Sequence, residues 1–259
     1  MKRNNIPSIM ESDNSTLVVG DVHVAQGQNL ERADWLGRAI TELNPTRVVF
    51  IGDLMTFDCF SNWDKDKRKK MEGRRYIKEI EKGREFISRM YDHAPNWKGD
   101  IILTEGNHED RVSRYLDYNP ELDGALDYQK DLGIKDEWTI IPYKEYYNVQ
   151  GVAFTHIPIS EAGKPLGGKY VCHRALELHQ GSVVFGHTHK LQVAPLHRHG
   201  SPHLNQALNV GCYFSHIDEY ALGSVTSYWR GLVLVDHYKH GRFGWMPFSM
   251  GKLKQRYRN

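Results

Sequence analysis

With 259 residues, 40% of them hydrophobic and 25% charged, the chain is long enough for one large α/β domain or two small ones, and its composition excludes a disordered or membrane-embedded class. A formal net charge of +2 is too small to indicate nucleic-acid binding by itself, and the scattered Cys59, Cys172 and Cys212 exclude a disulfide framework or a thiolate zinc site, reading instead as small buried hydrophobes. No stretch approaches the ~18 apolar residues of a spanning helix, and the opening MKRNNIPSIMESDNS has no apolar leader-like core, so the expectation is a cytoplasmic protein without membrane association.

In chain order, residues 16–21 (TLVVGD) form a short apolar run stopped by Gly-Asp, and residues 48–53 (VVFIGD) repeat the pattern. Between them, residues 29–43 place apolar side chains at helical spacing before Asn44-Pro45, which predicts a strand-helix-strand unit with parallel strands. Residues 64–92 read as one long charged helix with a stripe through Met71, Tyr76, Ile77, Ile80, Phe86, Ile87 and Met90. A third strand over 100–104 runs into Gly106-Asn107-His108, and residues 109–137 are polar, helical or looped. The second half turns to short strands: WTIIPY, GVAFTH, SVVFGH, LQVAPLH, QALNVG and GLVLVDHY, with one helix near 170–179 and a hairpin around RHGS. No linker-like tract or solenoid repeat interrupts the chain. The reading is a single α/β domain over 1–259, an α/β half joined to a strand-rich half, with 1–15 and 248–259 as peripheral tails.

Five of these strands end in metal-ligand residue types: Asp21-Val22-His23, Gly52-Asp53, Gly106-Asn107-His108, Thr155-His156 and Gly186-His187-Thr188-His189. In an open α/β sheet, ligands bind beyond the carboxyl ends of strands, so five such ends can converge on one cleft. In Asp21-x-His23 and His187-x-His189 the two side chains of each pair point the same way in extended chain. The preceding glycines permit sharp turns and close approach of the backbone. A lone Gly-Asp is normally a turn and a lone His-x-His is commonly structural. Their joint occurrence in this order, each directly after an apolar run, argues for a metal cluster with O and N donors suited to Mn²⁺, Fe or Zn²⁺.

These motifs resemble the calcineurin-like metallophosphoesterases, whose signature is DxH, GD, GNH(D/E), a later His, and GHxH. The resemblance spans roughly 16–240, and Asn209-Val210-Gly211-Cys212 is similar to the Asn-x-Gly-Ser segment of many members. It implies an α/β four-layer sandwich of two mixed β-sheets flanked by helices, with a centre of two divalent metal ions, Mn²⁺ foremost and Fe or Zn²⁺ as alternatives. It also implies that Asp21, His23 and His189 hold one ion, that Asn107, His156 and His187 hold the other, and that Asp53 bridges them. His108, Asn107 and Asp53 are then the catalytic residues, with His108 meeting the phosphate, which is attacked by metal-activated hydroxide. Several branches orient this histidine with an Asp or His where this chain has Thr56, which leaves Asp58 and Glu109 as the candidates to substitute, with the choice open. The Arg of the protein-phosphatase GDxxDRG is missing.

Gly-Asp-Leu at 52–54 resembles the repair-nuclease branch, which makes a phosphodiesterase acting on DNA the leading expectation and a phosphomonoesterase acting on phosphoprotein or nucleotides the alternative. A non-catalytic scaffold is disfavoured, since no motif position is missing. The basic run 65–70 with Arg74 and Arg75 reads either as a solvated helix face or as a track for a polyanion through Lys69 and Lys70, with Phe60, Trp63 and Tyr76 as stacking surfaces. The loop after His156, IPISEAGKPLGGKY, is either a plain connection or a lid presenting Lys164 or Lys169 to phosphate. His197, His199 and His203 read as an exposed turn without a metal. The oligomeric state has no signature.

Overall fold

The computed structural model describes residues 14–62, 64–200, 203–215 and 227–258. All five residues of β1 (Ser15–Val19) are buried, the pattern of a strand covered on both faces rather than one facing water. Leu17 and Val19 join a core with Leu36 and Ile40 of α1 (Glu31–Leu43), whereas Val18 points to the opposite face. β2 (Arg47–Phe50) lies parallel to β1, as the strand-helix-strand pattern requires. β3 (Asp100–Thr104) and β4 (Thr139–Ile141) follow in parallel, and β10 (Gly231–His237) and β11 (Phe243–Ser249) are antiparallel neighbours on the other side of β1. The resulting six-stranded sheet has the order β11-β10-β1-β2-β3-β4.

The second sheet has five strands in the order β5-β6-β7-β9-β8, namely β5 (Tyr147–Val149), β6 (Val152–Phe154), β7 (Ser182–Phe185), β8 (Leu191–His197) and β9 (Leu204–Val210). β6, β7 and β9 are parallel, while β5 and β8 are antiparallel edges, so both sheets are mixed. The hairpin expected around RHGS is the β8-β9 pair. Val18, Val49, Ile102, Phe154, Val184 and Val233 fill the space between the sheets. Outside the first sheet pack α1, α3 (Tyr76–Asp92) and α7 (Met250–Tyr257), and outside the second packs α6 (Val171–Leu178). The order helix, sheet, sheet, helix is the four-layer α/β sandwich expected. No described helix is long and apolar enough to cross a membrane.

Several expectations need correction. The single helix over 64–92 is two, α2 (Arg68–Met71) and α3, because Glu72 is extended and Gly73 takes φ +75°. The change of register turns Ile77 outward, at 54% exposure, and buries Glu79. The strand-rich half contributes to both sheets, since β4, β10 and β11 belong to the first. The stretch 248–259, read as a tail, completes β11 and forms α7, whose Met250 and Leu253 are buried; Ser15 likewise opens β1, while residues 1–13 lie outside the described residues. The polar stretch after residue 109 contains α4 (Asp110–Tyr118) and α5 (Tyr128–Leu132).

Candidate metal centre

Asp21, Asp53, Asn107, His156 and His187 each stand two or three residues beyond the carboxyl end of β1, β2, β3, β6 or β7, and the sandwich brings those five ends to one edge. Asp21, His23, Asp53, His156 and His189 are buried, and Asn107, His108 and His187 are partly open. Asp21 Oδ2 lies 3.0 Å from His189 Nε2, and its Oδ1 accepts the His187 amide at 2.9 Å. Asp53 Oδ2 lies 3.4 Å from His156 Nε2, 3.7 Å from His23 Nε2 and 3.9 Å from His108 Nε2. His156 Nε2 is 3.1 Å from both Asn107 Oδ1 and His187 Nδ1, while its Nδ1 faces the Ile51 carbonyl at 2.8 Å. Every residue expected as a metal ligand is thus in one cluster.

Three overlapping groups have donor atoms within 4.8 Å of one another: Asp21, His23 and His189; Asp53, His156 and His187; and His23, Asp53 and His108. The first two coincide with the two halves of the expected set apart from Asn107, an amide that joins through its contact with His156. The third overlaps both and includes the residue expected to meet the phosphate.

Electrostatics fits this cluster to cations. Burial acts to raise the Asp21 carboxyl, but His189, His156 and His187 outweigh it and bring it down to about 2. Asp53 goes the other way, pushed up to about 8 by burial and by the charge of Asp21. His187 is lowered to about 4 by burial and by His156, and His108 is held well below its ordinary value by burial and by Arg111, so both rings are neutral lone-pair donors near pH 7. Positive charge placed between the carboxylates would relieve the repulsion that burdens Asp53. The residues present therefore fit two divalent cations.

The backbone is shaped for the same purpose. His23, Asp53, His187 and His189 have φ between 49° and 65°, a left-handed conformation that costs about 1–2 kcal/mol for a non-glycine residue. Such strain at four of the clustered residues points to a built site. Glycine is required beside two of them: a Cβ at Gly52 would lie 2.4 Å from His156 Nδ1, and one at Gly186 would lie 2.4 Å from Asp21 Oδ1. The Asn209–Cys212 segment braces the other side, with the Tyr213 amide donating to the Asp21 carbonyl at 2.7 Å and Asn209 bonded to Thr188.

Two residues enlarge the expected set. Glu109 is buried and accepts the amides of Asp53 (2.9 Å), Gly106 (2.8 Å) and Met55 (3.0 Å), so it ties the second motif to the third and does not touch the His108 ring. The orienting partner of His108 is the Thr56 carbonyl, 2.8 Å from Nδ1. Arg111 places Nη2 at 3.2 Å from His108 Nε2, and its Nη1 bonds the Thr56 carbonyl at 2.8 Å and Asp58 Oδ1 at 3.3 Å. Asp58 therefore reaches His108 only through Arg111. The spacing from His108 to Arg111, three positions across the turn that opens α4, was the signal available in the sequence.

The other named residues fall elsewhere. Lys69 and Lys70 are exposed on α2, and Asp64 neutralises part of the basic run, with Lys67 at 2.8 Å, Lys70 at 3.7 Å and Arg74 at 3.8 Å. Phe60 and Tyr76 are half-buried and pack on each other at 5.8 Å between ring centroids; Trp63 lies outside the described residues. Lys164 is exposed on a turn closed by the Ser160 amide donating to its carbonyl, and Lys169 lies over the Tyr170 ring. His197 and His199 are exposed and His203 stacks on His240. Cys172 and Cys212 are buried and Cys59 is half-buried.

A sequence profile described as calcineurin-like phosphoesterase matches residues 15–191. No curated protein matches the chain. Among solved structures, that of Chaetomium thermophilum Vps29 is 8% identical, covers 91% of this chain and 97% of its own, and gives a TM-score of 0.42. A second solved structure is 10% identical, with coverages of 91% and 99% and a TM-score of 0.43. The profile takes in all five strand-end motifs and well over half of the chain, which belongs to the calcineurin-like phosphoesterase family.

Proposed function

We propose that the protein is a metal-dependent phosphodiesterase acting on nucleic acid, with two divalent cations, Mn²⁺ foremost. The observation that carries the reading is the position of one carboxylate oxygen, Asp53 Oδ2, within 4 Å of the Nε2 atoms of His23, His156 and His108. Asp21, His23 and His189 would hold one cation, Asn107, His156 and His187 the other, and Asp53 both. When bound, the pair would supply charge that polarises a phosphoryl group and lowers the pKa of water.

The remaining work falls to the chain itself. The His108 ring is fixed by the Thr56 carbonyl, with Nε2 presented at the open side next to the Arg111 guanidinium. Arg111 can pair with a non-bridging phosphate oxygen, and the arriving negative charge counteracts the burial that keeps His108 neutral, so that Nε2 can hold the proton needed by the leaving oxygen. Because Asp58 takes up part of the Arg111 charge, the cationic complement suits a singly charged diester better than a doubly charged monoester. Rates on bis-p-nitrophenyl phosphate and p-nitrophenyl phosphate, with Mn²⁺ and with an EDTA control, test the reading. Diester preference abolished by EDTA is expected; monoester preference would overturn it in favour of a phosphomonoesterase.

A further inference from the structure

A cleft of about 360 Å³ lies beside the loop that leaves His23, lined by residues 25–27, by the cations Lys70, Arg74 and Lys78, and by the carboxyls of Asp58, Glu72 and Glu79. It is connected to the catalytic side by a run of contacts: His108 Nε2 to Arg111 Nη2 at 3.2 Å, Arg111 Nη1 to Asp58 Oδ1 at 3.3 Å, and Asp58 Oδ2 to Arg74 Nη1 at 3.8 Å. The break between α2 and α3 makes it, since one continuous helix would not fold Arg74 back toward Asp58.

Two buried polar atoms on this cleft are unsatisfied among the described residues. Glu79, 2% exposed, uses Oε1 to accept the Cys59 amide at 3.2 Å, but its Oε2 has no hydrogen-bond partner. Arg74 Nη1 makes no hydrogen bond either, standing 3.8 Å from both Asp58 and Asp64. Buried polar groups are ordinarily paired, and two unpaired atoms of opposite character on residues that line one cavity point to a ligand that satisfies both. Burial, assisted by Asp58, raises Glu79 to about 7, so its carboxyl can donate as well as accept near neutral pH.

We infer that this cleft is a subsite for a second phosphate of an oligonucleotide substrate, bound by Arg74, Lys78 and Lys70 with a hydrogen bond from Glu79, one step along the chain from the phosphate at the metal centre. The inference rests on the diester reading and narrows it to substrates with consecutive phosphodiesters. Lys78 is exposed, and Arg74 spends its charge on carboxylates that a phosphate oxygen can replace.

The test compares R74Q, K78A and the double variant with the unaltered full chain, all loaded with Mn²⁺. The readouts are kcat/KM on a single-stranded oligonucleotide and on bis-p-nitrophenyl phosphate, and anisotropy of a fluorescein-labelled oligonucleotide across a salt series. The double variant should lose at least about ten-fold more kcat/KM on the oligonucleotide than on the small diester, mainly through KM. Its binding should show a shallower salt dependence, by about 0.7 in slope for each phosphate contact removed. Equal losses on both substrates or an unchanged salt slope would overturn the subsite and leave the proposed function standing, whereas failure of the unaltered enzyme to cleave the oligonucleotide while cleaving the small diester would overturn both the subsite and the nucleic-acid substrate and leave only a phosphodiesterase. K78A alone, at an exposed position, guards against misfolding as the cause. A preference of the unaltered enzyme for p-nitrophenyl phosphate would instead remove the diester reading, and the anisotropy series would then judge the cleft by itself.

Discussion

Glu109 does at the level of one side chain what a whole loop would otherwise have to do. Its carboxylate accepts three backbone amides drawn from two motifs, so Glu109→Ala leaves three buried N–H groups unmatched and should lower stability by about 3 kcal/mol or more in urea denaturation. A loss under 1 kcal/mol would mean that water replaces the carboxylate. His108 poses a sharper choice, since it stands both in a possible ligand group and at the open side of the centre. His108→Asn should keep two Mn²⁺ per chain by calorimetry while kcat falls by roughly 10²- to 10⁴-fold; loss of one ion would place His108 among the ligands. The sequence pointed to His108 because an Asn-His pair after an apolar run has no place in a core. It could not identify what orients the ring, because the partner is a backbone carbonyl, which every residue carries, and the side-chain candidates Asp58 and Glu109 are engaged elsewhere.

At the level of elements, the strand ends were readable because the signal is local: a few buried apolar residues, then, at every end but that of β6, glycine, and then a donor. The glycines make that grammar steric. Gly186→Ala would push a Cβ against Asp21 Oδ1 and Ile51, and should weaken Mn²⁺ binding at least about ten-fold by calorimetry with a stability loss of roughly 1–3 kcal/mol; normal affinity would show that the loop yields without moving Asp21. Long-range pairing was harder to read. The β10 run is as apolar as any other strand, but nothing in it says that it lies beside β1, and FGWMPFS in β11 carries a proline and no clean alternation. The break after α2 hid within a continuous run of charge, although Gly73 marked it. α7 was overlooked because two buried residues in eight make a faint stripe. Leu253 nevertheless packs in the same core as α1, and Leu253→Ala should cost about 2–4 kcal/mol, measured by thermal or urea unfolding.

For the molecule as a whole, the buried carboxyls link folding to pH. In the cation-free protein Asp53 and Glu109 keep protons up to about 8 and about 7, whereas an unfolded chain releases them near pH 4. Between those values the folded state binds more protons, so stability falls as pH rises. His187 and His108, lowered in the fold, act in the opposite sense, but only up to about pH 6.5, where unfolded imidazoles discharge. From about pH 6.5 to 8 the carboxyls act alone, and urea midpoints in EDTA should decline, by at most about 1.4 kcal/mol per pH unit for each proton. With Mn²⁺ bound the Asp53 share of the decline should vanish, leaving the smaller share of Glu109 and Glu79, and protons should be released on loading, which calorimetry in buffers of different ionisation enthalpy would register. A rising midpoint in EDTA would mean that Asp53 is already ionised. The pairing of β1 has a further consequence, for the protein as it is made. Asp21 emerges early, but His187 and His189 follow more than 160 residues later, and β1 gains its second neighbour only when residues 231–237 are available. Until residue 189 has been made, a growing chain can therefore present no more than a fragment of the cluster. Capture of cations, and with it any phosphoester hydrolysis, is postponed until residues 231–237 have been made.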